Sequence, residues 1–351
     1  MRDDPGIDAE EIAVCLNGQY GLHVAGIVFL PIGHDMNAFV YRVVADDASV
    51  YFLKIRTGPV YLPGLLVPRA LIDCGINSVL APLRTRRSEL WASLDGQSGC
   101  SVVLYPFIPG ENAMVAGLSD DQWRAFGAAL KSIHSSGLEA RFRDALRVEN
   151  FALPSAALVR QLLRLIDHTG FENAVARRFA QFWRQHAERI ERMLDRAEEL
   201  GATLQSKAFD LVLCHSDIHA ANILTGDDGR IWLVDWDAPL IAPRERDLLF
   251  VIGSGIARTV TPTEEDLFFE GYGSVEIDAE ALIYYRYERI IEDLGEFGRH
   301  VFLTQDASEA SREHEAELAR GFFEPGGDID RAEVVPRTRW PNLSAAEAPC
   351  P

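Results

Sequence analysis

One stretch of the chain, residues 211–237, carries polar side chains at a spacing that suits phosphoryl transfer. A short apolar run leads into the sequence HSD, which ends at Asp217; Asn222 follows five residues later, and a second apolar run ends at Asp235. Phosphoryl transfer needs a carboxylate that takes the proton of the attacking hydroxyl, and oxygen ligands that hold Mg²⁺ on the nucleotide phosphates. The spacing H-x-D-x-x-x-x-N with a downstream Asp supplies both. The alternative is that Asp217 and Asn222 only cap turns of a loop.

The same stretch contains a predicted β-hairpin that would bring the two candidate metal ligands together. A Gly-Asp-Asp-Gly turn separates two apolar runs, which is a strong hairpin signal. Pairing Thr225 with Arg230 across this turn puts Asn222 opposite Leu233. Asp235 then lies on the same face, where diagonal neighbours are roughly 7–8 Å apart. Because Mg²⁺ prefers carboxylate and amide oxygens, the hairpin predicts a magnesium site at its open end.

The sequence before residue 106 favours short strands. Residues 39–44 and 50–55 are rich in β-branched and aromatic side chains and flank a polar turn, so they are predicted to form a hairpin that carries Lys54. A further strand is predicted at 102–105. One helix precedes these strands, over about residues 8–20, because apolar side chains recur there at helical spacing. This part of the chain is predicted to be a small β-rich lobe.

After Pro109-Gly110 the apolar period becomes helical. Ser119 and Gln122 have the spacing of a capping box and begin a helix that ends near Gly137. A longer helix over residues 175–200 is predicted to end at Gly201, because glycine is common just after a helix. We therefore predict an α+β fold with a small β-rich N-terminal lobe and a larger, mainly helical C-terminal lobe.

The predicted division of the chain has four parts. Residues 1–105 form the N-terminal lobe, 106–110 the hinge, and 111–325 the C-terminal lobe. Residues 326–351 turn to Pro, Gly and charge, which predicts a loosely ordered tail.

Charge and composition exclude several classes of protein. The net charge of −19 disfavours nucleic acid and anionic membranes as partners. There is no apolar run of the roughly 18 residues that span a bilayer and no signal-like N-terminus, so a cytoplasmic location is expected. The five cysteines are scattered and never form C-x-x-C pairs, which argues against a disulfide framework or a zinc site. The oligomeric state stays open, with a monomer as the simplest case.

Most of the negative charge lies in the second lobe, at a net −16 for residues 109–351. Glu288 and Glu292 are four residues apart on a predicted helix, where like charges repel by a few tenths of a kcal/mol. A cationic ligand would relieve this repulsion, and Asp237 is a further candidate to bind one. The alternative is that Arg286 and Arg289 neutralise the acidic side chains of the helix.

The motifs CHSDIHAAN and VDWD resemble those of the aminoglycoside phosphotransferase family, antibiotic kinases whose pattern is H-G-D-x-H-x-x-N followed by I-D-W. The phrases PIGHDMNAF, YFLKIR, YPFI and YYRYERIIEDL narrow the resemblance, over about residues 8–325, to members that act on spectinomycin-like aminocyclitols. The resemblance implies a two-lobed protein-kinase-like fold whose N-terminal lobe binds nucleotide. It also implies ATP as donor, Mg²⁺ as cofactor and a hydroxyl of a cationic aminocyclitol antibiotic as acceptor.

The resemblance also implies roles for single residues. Asp217 would be the catalytic base, Asn222 and Asp235 the magnesium ligands, and Lys54 the lysine that pairs with the nucleotide phosphates. The loop around the base would be supported by Asp247 and His215.

Three further residues would contact the nucleotide. The backbone C=O of Pro106 and N–H of Ile108 fall where the family holds adenine. The loop over residues 30–37, which ends at Asn37, falls where the family approaches the phosphates.

One departure from the family pattern motivates another class of function. The segment 61–71, which follows Lys54, has no acidic residue, so Lys54 has no evident ion-pair partner. A nucleotide-binding pseudokinase that serves as a scaffold is therefore one alternative. The other is a small-metabolite kinase of the same fold that acts on choline, homoserine or a ribose derivative.

Overall fold

The computed structural model describes residues 4–32, 37–94, 99–305, 307–334 and 337–340. The N-terminal lobe is an antiparallel sheet with two helices. Its strands are β1 (Val24–Leu30), β2 (Ala38–Ala45), β3 (Val50–Thr57), β4 (Ala92–Ser93) and β5 (Cys100–Pro106). Their order in the sheet is β1-β2-β3-β5-β4. Its helices are α1 (Ala9–Tyr20) and α2 (Pro63–Asp73). The predicted hairpin is β2 and β3, with Lys54 on β3.

Side chains along these strands alternate between the two faces of the sheet, and one of these faces forms the small core of the lobe. Leu53 and Ile55 on β3 are fully buried, whereas Lys54 between them points to the opposite face of the sheet. Helix α1 covers the apolar face with Ile12 and Leu16, both fully buried. Its N-cap is Asp8, whose side chain accepts from the N–H of the second helical residue. Lys54 is thereby directed to the side of the sheet away from α1.

The C-terminal lobe is mainly helical, which confirms the predicted α+β architecture. Its helices are α3 (Ala113–Ala116), α4 (Asp120–His134), α5 (Leu138–Phe142), α6 (Pro154–His168), α7 (Ala174–Leu204), α8 (Glu245–Leu248), α9 (Pro262–Tyr272), α10 (Ala279–Leu303), α11 (Glu309–Gly321) and α12 (Asp328–Ala332). Its strands are β6 (Gly110–Asn112), β7 (Leu211–Cys214), β8 (Ile223–Gly226), β9 (Ile231–Leu233), β10 (Leu240–Pro243), β11 (Val275–Glu276) and β12 (Arg339–Trp340). Among the described residues, no helix is both long and apolar enough to cross a membrane.

The lobes meet next to β9. Leu233 donates its N–H to Ser78 O at 2.7 Å, and Leu80 N–H donates to Leu233 O at 3.0 Å. The segment that follows α2 is thus bonded directly to the strand that leads into Asp235. The positions of the two lobes are coupled at the place where the metal ligands were expected.

The predicted hairpin forms as β8 and β9, but its register differs by one residue from the expected one. Ile223 pairs with Leu233, the position expected for Asn222. The turn is shorter than expected because β8 continues through Gly226, and Gly229 closes the turn with a φ of 80°. Asn222 ends a short 3-10 turn before the strand. The prediction that Asn222 and Asp235 come together on one face of the hairpin is therefore wrong.

The predicted end of the long helix is wrong. Helix α7 does not end at Gly201 but continues to Leu204, and a Cβ at Gly201 would lie 2.6 Å from Phe151 O. This glycine is therefore required for close packing rather than for ending the helix.

The segment from residue 326, expected to be a loosely ordered tail, is folded as far as the structure describes it. Ala332 on α12 is fully buried against α10, and Trp340 on β12 is 1% exposed. The Trp340 ring stacks on Phe269 with centroids 3.9 Å apart. These apolar contacts outweigh the polar composition of the segment. Residues 341–351 lie outside the described residues.

Helices α4 and α9 cross with their backbones in contact. A Cβ on either Gly127 or Gly271 would lie 1.9 Å from a carbonyl oxygen of the other helix. The crossing brings His134, the last residue of α4, next to Tyr272, the last residue of α9, with Nδ1 and the hydroxyl oxygen 2.7 Å apart. Small residues at the crossing thus determine where His134 lies.

We predict that Gly127→Ala destabilises the fold by about 1–3 kcal/mol or more, because the added methyl group forces the two helices apart. Denaturant unfolding followed by circular dichroism measures this change. Gly18→Ala in α1 is the matched control, since a Cβ there meets nothing within 4 Å. It should gain about 0.5–1 kcal/mol from helix propensity. Equal stability of the two variants would contradict the close crossing.

Candidate active site

The loop that carries Asp217 is held by a buried carboxylate. Asp247 on α8 has 0% exposure and accepts hydrogen bonds from the backbone N–H groups of His215 (2.9 Å) and Ser216 (2.6 Å). His134 Nε2 lies 2.9 Å from the same carboxylate. Burial alone would raise the pKa of Asp247, but these partners outweigh it and the pKa is lowered. This is the geometry expected for support of the loop.

The imidazole of His215 connects the loop to the strand end before Asp235. Its Nε2 donates to Val234 O at 2.9 Å, and its Nδ1 accepts from the N–H of Asp217 at 3.3 Å. The partners fix the tautomer, because a carbonyl can only accept and an N–H can only donate. The ring also packs on Trp236 with centroids 4.4 Å apart. Both predicted loop-supporting residues therefore contact the loop directly.

Ser216 stands where the family pattern has glycine, and the structure gives the reason for that glycine. Its φ is 72°, in the left-handed region that side chains rarely adopt. The hydroxyl donates to Ala238 O, which stabilises the serine in this conformation. Ser216 lies between His215 and Asp217, so its backbone sets the direction in which the chain runs from β7 to Asp217.

The Asp217 carboxylate has partners on both oxygens. Oδ1 accepts from Arg289 Nη1 at 2.9 Å, and Oδ2 accepts from Asn222 Nδ2 at 3.2 Å. His219 Nε2 lies 3.5 Å from Oδ2. Burial would raise the pKa of Asp217, but His219 and Arg289 outweigh it and hold the pKa well below its usual range. The group is therefore an ionised carboxylate, one third exposed, as a proton acceptor must be.

The two candidate metal ligands differ in exposure. Asn222 is 8% exposed, and its Nδ2 also donates to the backbone O of Asp217 at 2.8 Å. Because the amide nitrogen faces two acceptors on Asp217, the Asn222 Oδ1 is directed elsewhere and can serve as a ligand. Asp235 is exposed and has a φ of 64°. Val234 N–H donates to Asn222 O at 3.0 Å, so the two ligand-bearing segments are adjacent. An amide and a carboxylate oxygen fit Mg²⁺.

Lys54 has two carboxylate partners, which corrects the expectation that it has none. Its Nζ lies 3.0 Å from Asp235 Oδ1 and 2.8 Å from Asp237 Oδ2. Burial would lower the pKa of Lys54, but the two carboxylates outweigh it and raise the pKa. Asp237 is also bonded to Arg56 Nη1 at 2.8 Å. The strand lysine is thus held beside Asp235, the candidate metal ligand.

The helix after Lys54 supplies no carboxylate partner to that lysine, because its one acid, Asp73, pairs with Arg69 at 2.8 Å. The helix nevertheless contacts the segment that does supply the partners. Helix α2 forms over 11 residues despite its two prolines, with Pro63 at its first position. A Cβ at Gly64 would lie 2.7 Å from Trp236 O. Since the partners of Lys54 come from the C-terminal lobe, the lack of an acid in residues 61–71 no longer favours a pseudokinase.

The structure also locates the three candidate nucleotide contacts. Phe107 N–H donates to Val50 O at 3.3 Å, so the carbonyl of Pro106 points away from β3. Ile108 follows in the half-buried connector. Asn37 O accepts from the N–H of Thr57 at 2.8 Å. Residues 33–36 of the predicted phosphate loop lie outside the described residues.

The acidic side chains expected to bind a cationic ligand do not form one surface. Glu288 on α10 is 5% exposed and paired with Arg246, and burial raises the pKa of Glu288. Glu288 is therefore not accessible to a ligand, and the prediction that it binds a cationic one is wrong. Glu292 is exposed, and Asp237 is partly covered by its two cationic partners.

Two residues contact this site without a motif that indicates it. The spacing of Arg289 indicates only a charge that neutralises its own helix, yet its side chain reaches Asp217. His134 has no motif signal beyond being a polar residue on the apolar face of α4. Both contacts join residues far apart in the chain, at separations of 72 and 113 residues.

Comparisons with known proteins identify a family and several similar structures. A model of the phosphotransferase enzyme family matches residues 28–284. The structure of spectinomycin phosphotransferase with ADP and spectinomycin is 31% identical, with a TM-score of 0.85 over 94% of this chain and 99% of that one. Its AMP-bound complex is 30% identical, with a TM-score of 0.81 over 93% and 99%.

A more distant structure shares the fold. An amicoumacin kinase is 16% identical, with a TM-score of 0.58 over 93% of this chain and 97% of that one. A comparison with curated protein sequences found no match. The predicted two-lobed, kinase-like fold is confirmed.

The left-handed backbone at Ser216 predicts an unusual order of stability. Ser216→Gly and Ser216→Ala both lose the hydrogen bond to Ala238 O, but only glycine relieves the strain. The glycine variant should be the more stable by about 1–2 kcal/mol, as measured by denaturant unfolding. An alanine variant as stable as the glycine variant would contradict the left-handed conformation.

Proposed function

The chain belongs to the phosphotransferase enzyme family, and on this premise we propose that it is an ATP-dependent kinase that phosphorylates a hydroxyl of a cationic, spectinomycin-like aminocyclitol antibiotic. The observation that best supports phosphoryl transfer is the ionised Asp217 carboxylate beside Asn222. The acceptor class is supported by the similarity, over nearly the whole chain, to an enzyme crystallised with ADP and spectinomycin. Phosphorylation would inactivate the antibiotic.

In the proposed reaction Asp217 is the general base. The acceptor oxygen forms a bond to the γ-phosphorus of ATP, while the bond between that phosphorus and the bridging oxygen to the β-phosphate breaks. The hydroxyl proton passes to the Asp217 carboxylate. A positioned base contributes typically 10²–10⁴-fold to the rate. The transfer is direct, without a covalent enzyme intermediate.

The remaining site residues would hold the nucleotide. Asn222 and Asp235 would bind Mg²⁺, which when bound offsets the negative charge on the phosphate oxygens. Lys54 would contact the phosphates from its position beside Asp235. The backbone of Pro106 and Ile108 would bind adenine.

Further contacts are proposed with the ATP phosphates and with the ammonium groups of the acceptor. Asn37 lies at the end of the loop proposed to approach the phosphates. A cationic acceptor suits the net charge of −16 on residues 109–351. Glu292 and Asp237 are proposed to bind its ammonium groups, while Glu288 is already paired with Arg246.

Transfer of labelled γ-phosphate tests the proposal on a panel of aminocyclitols, aminoglycosides, choline and sugars. We expect turnover with spectinomycin or a close relative, and no comparable turnover with choline or sugars. Transfer to choline or a sugar alone would keep the kinase and contradict the acceptor. ATP binding without transfer to any member would contradict the enzyme.

The Asp217→Asn variant tests the assignment of the base in the same assay. Its kcat should fall at least about 10²-fold, because the amide cannot accept the hydroxyl proton. ATP binding, measured by calorimetry, should change little. Asp210→Asn is the control, since Asp210 is 95% exposed and precedes β7. An Asp217→Asn variant that keeps turnover within a few-fold of the wild type would eliminate Asp217 as the base.

A further inference from the structure

An arginine of the C-terminal lobe contacts the proposed base. Arg289 lies on α10 and donates from Nη1 to Asp217 Oδ1 at 2.9 Å. Its Nε donates to Asp293 Oδ2 at 3.0 Å, one helical turn further along. The guanidinium is thus bound at two of its nitrogens, by a carboxylate of its own helix and by the carboxylate of the loop. This gives the Arg289 side chain one defined orientation.

The Asp217 carboxylate is held from two different elements. Helix α10 supplies the donor to Oδ1, while Asn222, within the loop, supplies the donor to Oδ2 at 3.2 Å. Donors on both oxygens restrict rotation of the carboxylate about its bond to the rest of the side chain. The exposed third of the Asp217 side chain is then the side from which a hydroxyl can approach.

The neighbouring charged residues of α10 have partners other than the base. Arg286 donates to backbone carbonyls, among them Ile252 O at 2.8 Å and Val334 O at 2.9 Å, and so ties α10 to the C-terminal segment. Glu288 is buried against Arg246. Arg289 differs from both because its partner is the base, and because its side chain keeps 20% exposure at the site.

We propose that Arg289 is a positioning residue that, held by Asp293, orients the Asp217 carboxylate toward the acceptor hydroxyl. The inference rests on the proposed function. It adds that α10, the helix that also bears the acceptor-site candidate Glu292, fixes the base through the ion pairs of Arg289 with Asp217 and Asp293. Asp293 balances the charge of Arg289, so the guanidinium acts through its fixed direction.

The test is the kinetics of Arg289→Ala with the acceptor that the panel identifies. We expect kcat to fall by about 10–10²-fold, the scale of a misplaced reacting group, while the KM for ATP stays within about twofold. Arg289→Lys keeps the charge but cannot bind both carboxylates in the same geometry, so its kcat should lie between those of Arg289→Ala and the wild type. Arg299→Ala is the matched control, because Arg299 lies on the same helix and pairs with Glu296 alone among the described residues.

Chemical rescue separates positioning from general damage to the fold. Guanidinium ion at non-denaturing concentration should restore part of the kcat of Arg289→Ala and leave the wild type and Arg299→Ala unchanged. An unchanged kcat in Arg289→Ala would overturn the inference. Failure of rescue together with a wild-type kcat in Arg289→Lys would overturn it too. In either case the proposed function would stand.

Slow ATP hydrolysis without acceptor provides the second readout. If the wild type transfers phosphate to no acceptor but hydrolyses ATP, the proposed acceptor fails, and Arg289→Ala must still slow hydrolysis for the inference to hold. Hydrolysis at the wild-type rate in that variant would overturn the inference. If the wild type neither transfers nor hydrolyses, both the function and the inference are wrong.

Discussion

The loop that carries Asp217, the proposed base, depends on the buried Asp247 carboxylate. A buried carboxylate is costly unless hydrogen bonds compensate for the water it has lost. Two of its donors are backbone N–H groups of the loop and the third is His134, so the loop cannot move away without leaving a buried charge unpaired. His134 is placed in turn by Tyr272 and by the glycine crossing of α4 and α9. The packing of α4 and α9 therefore affects the loop of Asp217, the proposed base, through one imidazole.

Local features of the fold and of the site could be predicted from the sequence. The spacing of Asp217 and Asn222 is short enough that one loop brings them together, whatever the rest of the chain does. The capping box at Ser119 and the hairpin that carries Lys54 likewise depend on neighbouring residues. The hairpin at β8 and β9 was predicted in kind but not in register, because the turn conformation at Gly229 decides one residue of pairing.

Features that depend on distant contacts could not be predicted. The partners of Lys54 lie 181 and 183 residues away and are decided by how the two lobes meet. Glu288 has the spacing of a surface cluster with Glu292, but Arg246 from α8 covers it in the interior. Trp340 folds back onto the lobe from a segment whose composition suggests a tail. In each case the deciding interaction joins parts of the chain whose proximity only the tertiary structure determines.

The buried Asp247 carboxylate holds the loop of Asp217, the proposed base, from behind. The decisive measurement is the kcat of Asp247→Asn, taken at a temperature where circular dichroism shows the variant folded. An amide offers one acceptor oxygen and places N–H groups against the donors of the loop. We predict a kcat lower by about 10²-fold, as expected when the base is displaced, with ATP binding retained. A folded Asp247→Asn variant with the kcat of the wild type would contradict the account.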